Sequence, residues 1–301
     1  MEKNSIMKFF IYVVLITFSI NNTRSQITNI PDIEFESLLI NSGIDKSGIL
    51  DGKINSAEIE TLNKLKIFTK GKKVITDLTG IEDFKNLKHL DLRNCSLSSL
   101  DLSQNTMLET LNVSDSNISR LDLQSNLFLS KIKSLGNNKI ESLDIRGLLN
   151  LEELSLNKCM LKNVSFGNNN SLLKVYLEKN ELKSIDVSEA INLKYLDFDD
   201  NMISVIDFSN NLKLKSLSFS KNNISGELDF SKHYFLERLE LRSNKITKIN
   251  VNNDNNSILR IFVVYNNPLT CIQIDDGSYR GAPYNNWKTG LPVTVYSKNC
   301  F

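Results

Sequence analysis

Nine leucines, Leu87, Leu108, Leu129, Leu151, Leu172, Leu193, Leu214, Leu236 and Leu259, each open a copy of one pattern at intervals of 21 to 23 residues. With the first leucine as position 1, apolar residues return at positions 4, 6, 11, 14 and 16. From Leu87 these are Leu90, Leu92, Leu97, Leu100 and Leu102; from Leu193 they are Leu196, Phe198, Ile203, Ile206 and Phe208. A looser copy precedes them at Leu62, Leu65, Ile67, Leu78 and Ile81. A fixed period of this length means a coil, because no single copy can bury its own apolar face and stacked copies bury one continuous core. Five or six aliphatic side chains per turn, at roughly 1.5–3 kcal/mol each when buried, drive that stacking.

Within each copy the apolar residues alternate with polar ones, as in Leu90-Asp91-Leu92 and again in Leu100-Asp101-Leu102. A period of two indicates extended backbone with one face inward, and no segment of the repeat has the length and period of a helix. Each turn is therefore expected to carry two walls.

The consensus LxxLxLxxNxLxxLDLSxN resembles the leucine-rich repeat, most closely the short 21-residue bacterial class, and the resemblance runs from about Leu62 to Ile274. It implies a mainly β solenoid, with parallel strands on a concave side, a second short strand per turn on the opposite side and a small helical N-terminal cap. It says almost nothing about function. In such repeats the residue at position 9 is an asparagine whose amide ties successive turns together. Here Asn180, Asn201, Asn222, Asn244 and Asn267 occupy it, Asn138 fits after a one-residue insertion, and Ser116 is the odd member. Cys95 and Cys159 also fall at position 9, three turns apart. At ~4.8 Å per turn they are separated by roughly 14 Å, twice the reach of a disulfide, so both are expected as free buried thiols.

The two ends of a coil must be covered. Lys3 and Lys8 precede an apolar run from Phe9 to Ile20 and a polar stretch ending at Ser25. The run is too short to span a bilayer, which needs ~20 residues, and the arrangement reads as a secretory signal peptide over residues 1–25. Residues 26–61 are expected to form a helical N-terminal cap, with one helix after Pro31 and a second from Ala57 to Leu65. Between them, Asp51, Gly52, Ile54 and Glu58 match part of an EF-hand calcium loop. Ile49 stands where a ligating side chain is needed, so a metal-free turn is the expectation and calcium at Asp51 and Glu58 the alternative. Caps of this helix–loop–helix type resemble those of leucine-rich proteins from Bacteroidetes-like bacteria. After the repeats (62–274), residues 275–301 form a C-terminal cap. In an exported protein Cys271 and Cys300, which flank it, read as a disulfide. Trp287, Tyr279, Tyr284 and Tyr296 are expected to close the core beneath it, with an aromatic ligand platform as the alternative.

Lys and Arg number 36 against 35 Asp and Glu, which gives no electrostatic reason to expect nucleic acid. The two histidines, His89 and His233, lie nearly seven turns apart without a serine or cysteine companion, so a hydrolase triad or a zinc site is unsupported and the chain reads as a non-enzyme. Aspartates recur at position 15 (Asp101, Asp122, Asp144, Asp186, Asp207, Asp229). Stacked carboxylates repel, and the expected compensation is hydrogen bonding to the polar turn that follows each one.

Positions 3, 5, 7 and 8 face outward from the concave strands and do not repeat. They gather Tyr176, Glu178, Tyr195, Asp197, Asp199 and Asp200 beside Arg238, Arg242 and Tyr265. Tyrosine and arginine are enriched at interface hot spots, and charge of both signs orients a partner. The sequence reads as an exported recognition module, secreted, on the cell surface or in the periplasm, that binds a protein or glycan there without catalysis. It has no membrane span once the leader is removed. The resemblance to bacterial adhesion and surface-recognition proteins points the same way. The alternative is a structural envelope or matrix protein that self-associates.

Overall fold

The computed structural model describes residues 26–69, 74–136, 139–275, 287–290, 296–297 and 299–300. Asn138, Tyr279, Tyr284 and the leader at residues 1–25 lie outside the described residues.

The chain opens with strand β1 (Ile27–Asn29), helix α1 (Ile33–Asn41), strand β2 (Lys53–Asn55) and the short helix α2 (Ser56–Ile59). β1 and β2 pair antiparallel. α1 begins where Asp32 Oδ1 accepts the N–H groups of Glu34 and Phe35, both at 3.0 Å, meeting the orphan donors of a first turn. Asp32 Oδ2 takes the N–H groups of Thr76 and Asp77 at 2.8 and 3.0 Å, so one carboxylate both caps the helix and pins it to the coil. Phe35 of α1 stacks on Phe84, with ring centroids 6.4 Å apart.

The second helix is shorter than the sequence suggests. It stops at Ile59, and Lys64-Leu65-Lys66-Ile67-Phe68 forms strand β3 (Lys64–Phe68), because its period-two alternation pairs in register with the next turn. There follow β4 (His89–Arg93), β5 (Thr110–Asn112), β6 (Lys131–Leu135), β7 (Ser142–Asp144), β8 (Glu153–Asn157), β9 (Asn163–Ser165), β10 (Lys174–Tyr176), β11 (Tyr195–Asp197) and β12 (Ser216–Ser218). The last are β13 (Ser225–Asp229), β14 (Arg238–Glu240), β15 (Lys245–Asn250), β16 (Ile261–Val263), β17 (Cys271–Gln273), β18 (Trp287–Lys288) and β19 (Tyr296–Ser297).

Eleven of these strands, in the order β3-β4-β5-β6-β8-β10-β11-β12-β14-β16-β18, make one parallel sheet, the long wall of the coil. Position 4 of each turn pairs with position 4 of the next, as Val175 with Leu196 and Leu196 with Leu217. The inward side chains merge into one core from Ile30 to Trp287.

The second wall is a ladder over only part of its length. β7 pairs with β9; β13, β15, β17 and β19 form a four-stranded piece; and Ser184 and Val205 make a single bridge. The β13–β15 ladder is bulged at Gly226/Glu227, where Thr247 of β15 is the unpaired residue. Elsewhere on this side the turns are joined through asparagines at position 19. Asn126 Nδ2 donates to Leu102 O and Asn105 O, both at 3.0 Å. Asn105, Asn169 and Asn211 do the same one or more turns away.

The position-9 asparagines form a parallel ladder. Asn222 Oδ1 accepts Ile203 N–H at 2.9 Å while its Nδ2 donates to Phe198 O at 2.9 Å and Phe219 O at 3.2 Å. Immediately before it, every regular turn bends through a left-handed residue at position 8: Asn94, Asp115, Gly136, Lys158, Lys179, Asp200, Lys221, Ser243 and Asn266, with φ from 51° to 71°. This bend ends each long-wall strand.

Cys95 and Cys159 are buried and free. Burial pushes the Cys95 thiol up to about 11. Cys271 and Cys300 are joined by a disulfide with Cα atoms 5.9 Å apart. Trp287 is buried edge-on against Phe262 at 4.6 Å and donates Nε1–H to Leu259 O at 2.8 Å, which is the core-closing role.

Candidate functional site

Period-two geometry sends positions 3 and 5 of every long-wall strand away from the core, and the left-handed bend then projects position 8 from the strand end. Strands β10 and β11 thereby set Tyr176 beside Asp197, and Lys174 beside Tyr195. The Lys174 ammonium lies 5.9 Å from the Tyr195 ring centroid, within cation–π range.

The acidic members sit close together. Asp197 Oδ1 accepts Asp199 N–H at 3.1 Å. Asp199 Oδ1 accepts the Ser218 hydroxyl at 2.6 Å and Ser220 N–H at 2.7 Å. Burial, with the neighbouring carboxylates of Asp199, Glu178 and Glu240, pushes Asp197 up to about 6 against the lowering effect of the Asp199 N–H. Burial raises Asp199 as well. Asp200 is paired with Lys221 at 3.0 Å, and Glu178 with Lys179. Burial and the nearby Glu153 raise the Tyr176 phenol.

The basic members lie two and three turns further along. Arg238 pairs with Glu240 on its own strand, and Arg242 Nη1 donates to the Tyr265 hydroxyl at 3.1 Å. The structure thus brings Tyr176, Glu178, Tyr195, Asp197, Asp199 and Asp200 into one cluster and joins Arg242 to Tyr265. It sets Arg238 between them, in the same row as Tyr195 and separated from it by Ser216. Sequence reading missed Ser218, Ser220 and Glu240, which complete the surroundings of the two aspartates. The available signal was the shared position-5 row, Tyr176, Asp197, Ser218 and Glu240.

The other sequence candidates are placed as follows. Glu36 Oε1 accepts the N–H groups of Asp51, Gly52 and Lys53 at 2.7 to 3.1 Å, so Glu36 organises the loop that resembles a calcium site. Glu58 Oε2 accepts Lys46 N–H at 3.2 Å. Asp51 and Glu58 are not gathered with a further carboxylate: among the described residues no group of three His, Cys, Asp or Glu stands close enough to hold a metal ion. The position-15 aspartates each accept the N–H two residues on, from Asp101 with Ser103 to Asp229 with Ser231, so they are turn formers. His89 Nδ1 hydrogen-bonds the Thr110 hydroxyl at 2.9 Å on the long wall, whereas His233 is buried under the second wall.

A Leucine Rich Repeat family model matches residues 86–106, the turn that starts at Leu87. With the parallel sheet and its asparagine ladders, this decides the architecture. The fold is a leucine-rich-repeat solenoid. No curated protein matches the chain in sequence. Among solved structures, a plant peptide hormone receptor, RGFR1 in complex with RGF2, is similar at 18% identity and a TM-score of 0.58, over 72% of this chain and 42% of the receptor chain. The leucine-rich-repeat domain of APL1B is similar at 18% identity and a TM-score of 0.53, over 76% of this chain and 74% of that one. The functional domain of InlJ from Listeria monocytogenes matches at 20% identity and a TM-score of 0.46, over 83% and 68%. These likenesses concern the solenoid alone. No helix among the described residues is long and apolar enough to cross a membrane.

Proposed function

We propose that this leucine-rich-repeat solenoid is a non-catalytic, exported recognition module. It holds a protein or glycan partner against the outward face of the long wall, on Tyr176, Glu178, Tyr195, Asp197, Asp199, Asp200, Arg238, Arg242 and Tyr265. The observation that carries this reading is Asp197, a half-buried carboxylate raised to about 6 and set among three others. At the same position other turns use Asn112, Ser155 and Ser218, or the carboxylates Asp91 and Glu240, each paired with an arginine, whereas Asp197 has no cation paired with it among the described residues. A group kept where it destabilises the free protein marks a functional surface, and the flanking tyrosines supply rigid contact area. Export is supported by the leader-like residues 1–25 and by the disulfide, which persists in oxidising compartments. A solenoid of this fold serves as a peptide hormone receptor in the plant neighbour, so a peptide is one partner of suitable kind.

The test is capture from an extracellular and envelope fraction by residues 26–301, compared with the Tyr195→Ala/Asp197→Ala double variant. The proposal expects a partner held by the first and lost by the second, with both melting cooperatively. Equal capture by both, or none by either, would remove it.

A second reading, self-association into an envelope or matrix layer, has one observation in its favour. Leu127, Phe128, Leu149, Ile191, Leu212 and Phe235 are exposed at the closing corner of five turns and form an apolar stripe along one flank, interrupted at the turn from Leu151. Sedimentation velocity that is concentration-dependent, and becomes independent in Phe128→Asp/Phe235→Asp, would favour it.

A further inference from the structure

The outward face of the long wall carries a second polar region, over β3 to β6, that shares no residue with the patch just described. A cavity of about 310 Å³ opens there. Its two sides are lysine pairs, Lys64 and Lys66 on β3 and Lys131 and Lys133 on β6. Its floor is formed by the two strands between, His89 and Asp91 on β4 and the shorter Thr110 and Asn112 on β5.

The register makes this a rectangular array. Lys64, His89, Thr110 and Lys131 form one row across the strands, and Lys66, Asp91, Asn112 and Lys133 the next. Three strand spacings separate the lysine pairs by ~14 Å, and two residues along a strand separate the rows by ~7 Å. Four ammonium groups thus surround a floor with one carboxylate, Asp91, and Arg93 already holds that carboxylate through two bonds of 2.8 and 3.0 Å. Lys131 and Lys133 both reach Glu153, at 2.7 and 3.2 Å, so one carboxylate serves two cations. Lys64 and Lys66 have no acidic partner among the described residues. His89 is anchored through Nδ1 to Thr110, which leaves Nε2 for a ligand. Uncompensated cations at this spacing repel one another in the free protein.

We propose that this cavity is an anion site that seats an extended acidic peptide laid across β3 to β6. Same-face side chains of an extended peptide recur at ~7 and ~14 Å. Carboxylates at i and i+4 therefore reach the two lysine pairs, and a residue at i+2 stands over His89 and Thr110. The assignment shares with the recognition reading only the premise that this face meets ligands, and its test uses different residues.

The test is fluorescence anisotropy of a labelled peptide, Asp-Gly-Asp-Gly-Asp-Gly-Asp, and its Asn-for-Asp counterpart, titrated with residues 26–301 at low salt. The acidic peptide binds and the neutral one does not, and the affinity falls steeply as salt rises. Lys66→Gln/Lys133→Gln weakens binding by roughly tenfold and Lys66→Glu/Lys133→Glu abolishes it, whereas Tyr195→Ala/Asp197→Ala leaves it within about twofold. Circular dichroism melts confirm that each variant is folded. Binding that survives the lysine changes, or no binding at about 1 mM peptide, overturns the proposal. So does binding of polygalacturonate in place of the peptide, which would make the site one for anionic glycans. Loss of binding in the Tyr195/Asp197 variant as well would place the peptide at the other patch.

Discussion

Asp199 donates its backbone N–H to Asp197 Oδ1 at 3.1 Å, so its backbone holds the Asp197 carboxylate in place while its own carboxylate repels it. Because the folded Asp197 is raised to about 6 from a usual 3.8, the native state keeps a proton that the unfolded chain has lost. The stability tied to that proton is complete below about pH 4 and lost as pH rises through about 6. Asp197→Asn keeps the acceptor for Asp199 N–H and removes the charge. It should stabilise the protein at pH 7 by about 1 kcal/mol, a value reduced for the partial exposure of the site, with no gain at pH 4. Urea unfolding at the two pH values checks this, and an equal gain at both would show that burial of charge is not the cause.

The position-9 ladder should be costly to break. Asn222→Ala strands Ile203 N–H, whose acceptor lies at 2.9 Å, and takes one of two donors from Phe198 O and from Phe219 O, which keep Asn201 Nδ2 and Asn244 Nδ2 at 3.0 and 2.8 Å. At about 1–3 kcal/mol for the one stranded donor, with a smaller loss at the two carbonyls, the cost should be about 2 kcal/mol. Lost protection of the Ile203 amide in hydrogen exchange would locate the damage. A loss below about 1 kcal/mol would mean that water or a backbone shift replaces the amide.

How much of this was legible before the structure turns on what repeats. The period placed Leu90, Leu111, Val175 and Leu196 in register, and the sheet pairs them that way. Asn180 through Asn267 were legible because the resemblance assigns position 9 a role. Position 19 carries Asn105, Asn126, Asn169 and Asn211 in the same consensus, yet its role is hidden in the sequence, since both carbonyls it bonds belong to the preceding turn. The left-handed bend at position 8 is only half legible, because Asn94, Asp115, Gly136, Asp200 and Asn266 give a turn signal whereas Lys158, Lys179, Lys221 and Ser243 break it. The lysine array on β3 and β6 could have been read from the rows of positions 3 and 5. Lys64 belongs to the loose first turn, whose register only strand pairing reveals.

That bend yields a prediction of its own. Lys158 is exposed and held at φ 55°, where a residue with a Cβ is strained by roughly 1–2 kcal/mol. Asparagine tolerates the region better than lysine, and a β-branched residue tolerates it worst. Lys158→Asn should raise stability by about 0.5 kcal/mol and Lys158→Val should lower it by about 1 kcal/mol, although neither side chain gains or loses a buried contact. Urea midpoints that order the three residues otherwise would show that the bend is free to relax.

His233 stands where other turns place an asparagine of the second ladder. Its Nε2 lies 3.3 Å from Phe208 O, its ring meets Phe230 edge-on at 5.5 Å, and its Nδ1 is buried without a partner among the described residues. Burial lowers its pKa below the usual 6.5, opposed by the hydrogen bond to Phe208 and the charge of Asp229. The sign follows from which state takes up protons. Above pH 6.5 both folded and unfolded histidines are neutral and the residue adds no pH dependence. As pH falls below 6.5 the unfolded chain binds a proton that the buried ring refuses, so stability drops by up to about 1.4 kcal/mol per pH unit until the folded pKa is reached. His233→Asn retains a donor for Phe208 O and removes the titration. The stability difference between wild type and variant should therefore be flat above pH 7 and should grow in favour of the variant between pH 6.5 and 5, whatever the carboxylates contribute, since they are common to both. Parallel curves across that range would mean that the ring is protonated in the folded coil and that Nδ1 has found a partner, most directly the Asp229 carboxylate of its own turn.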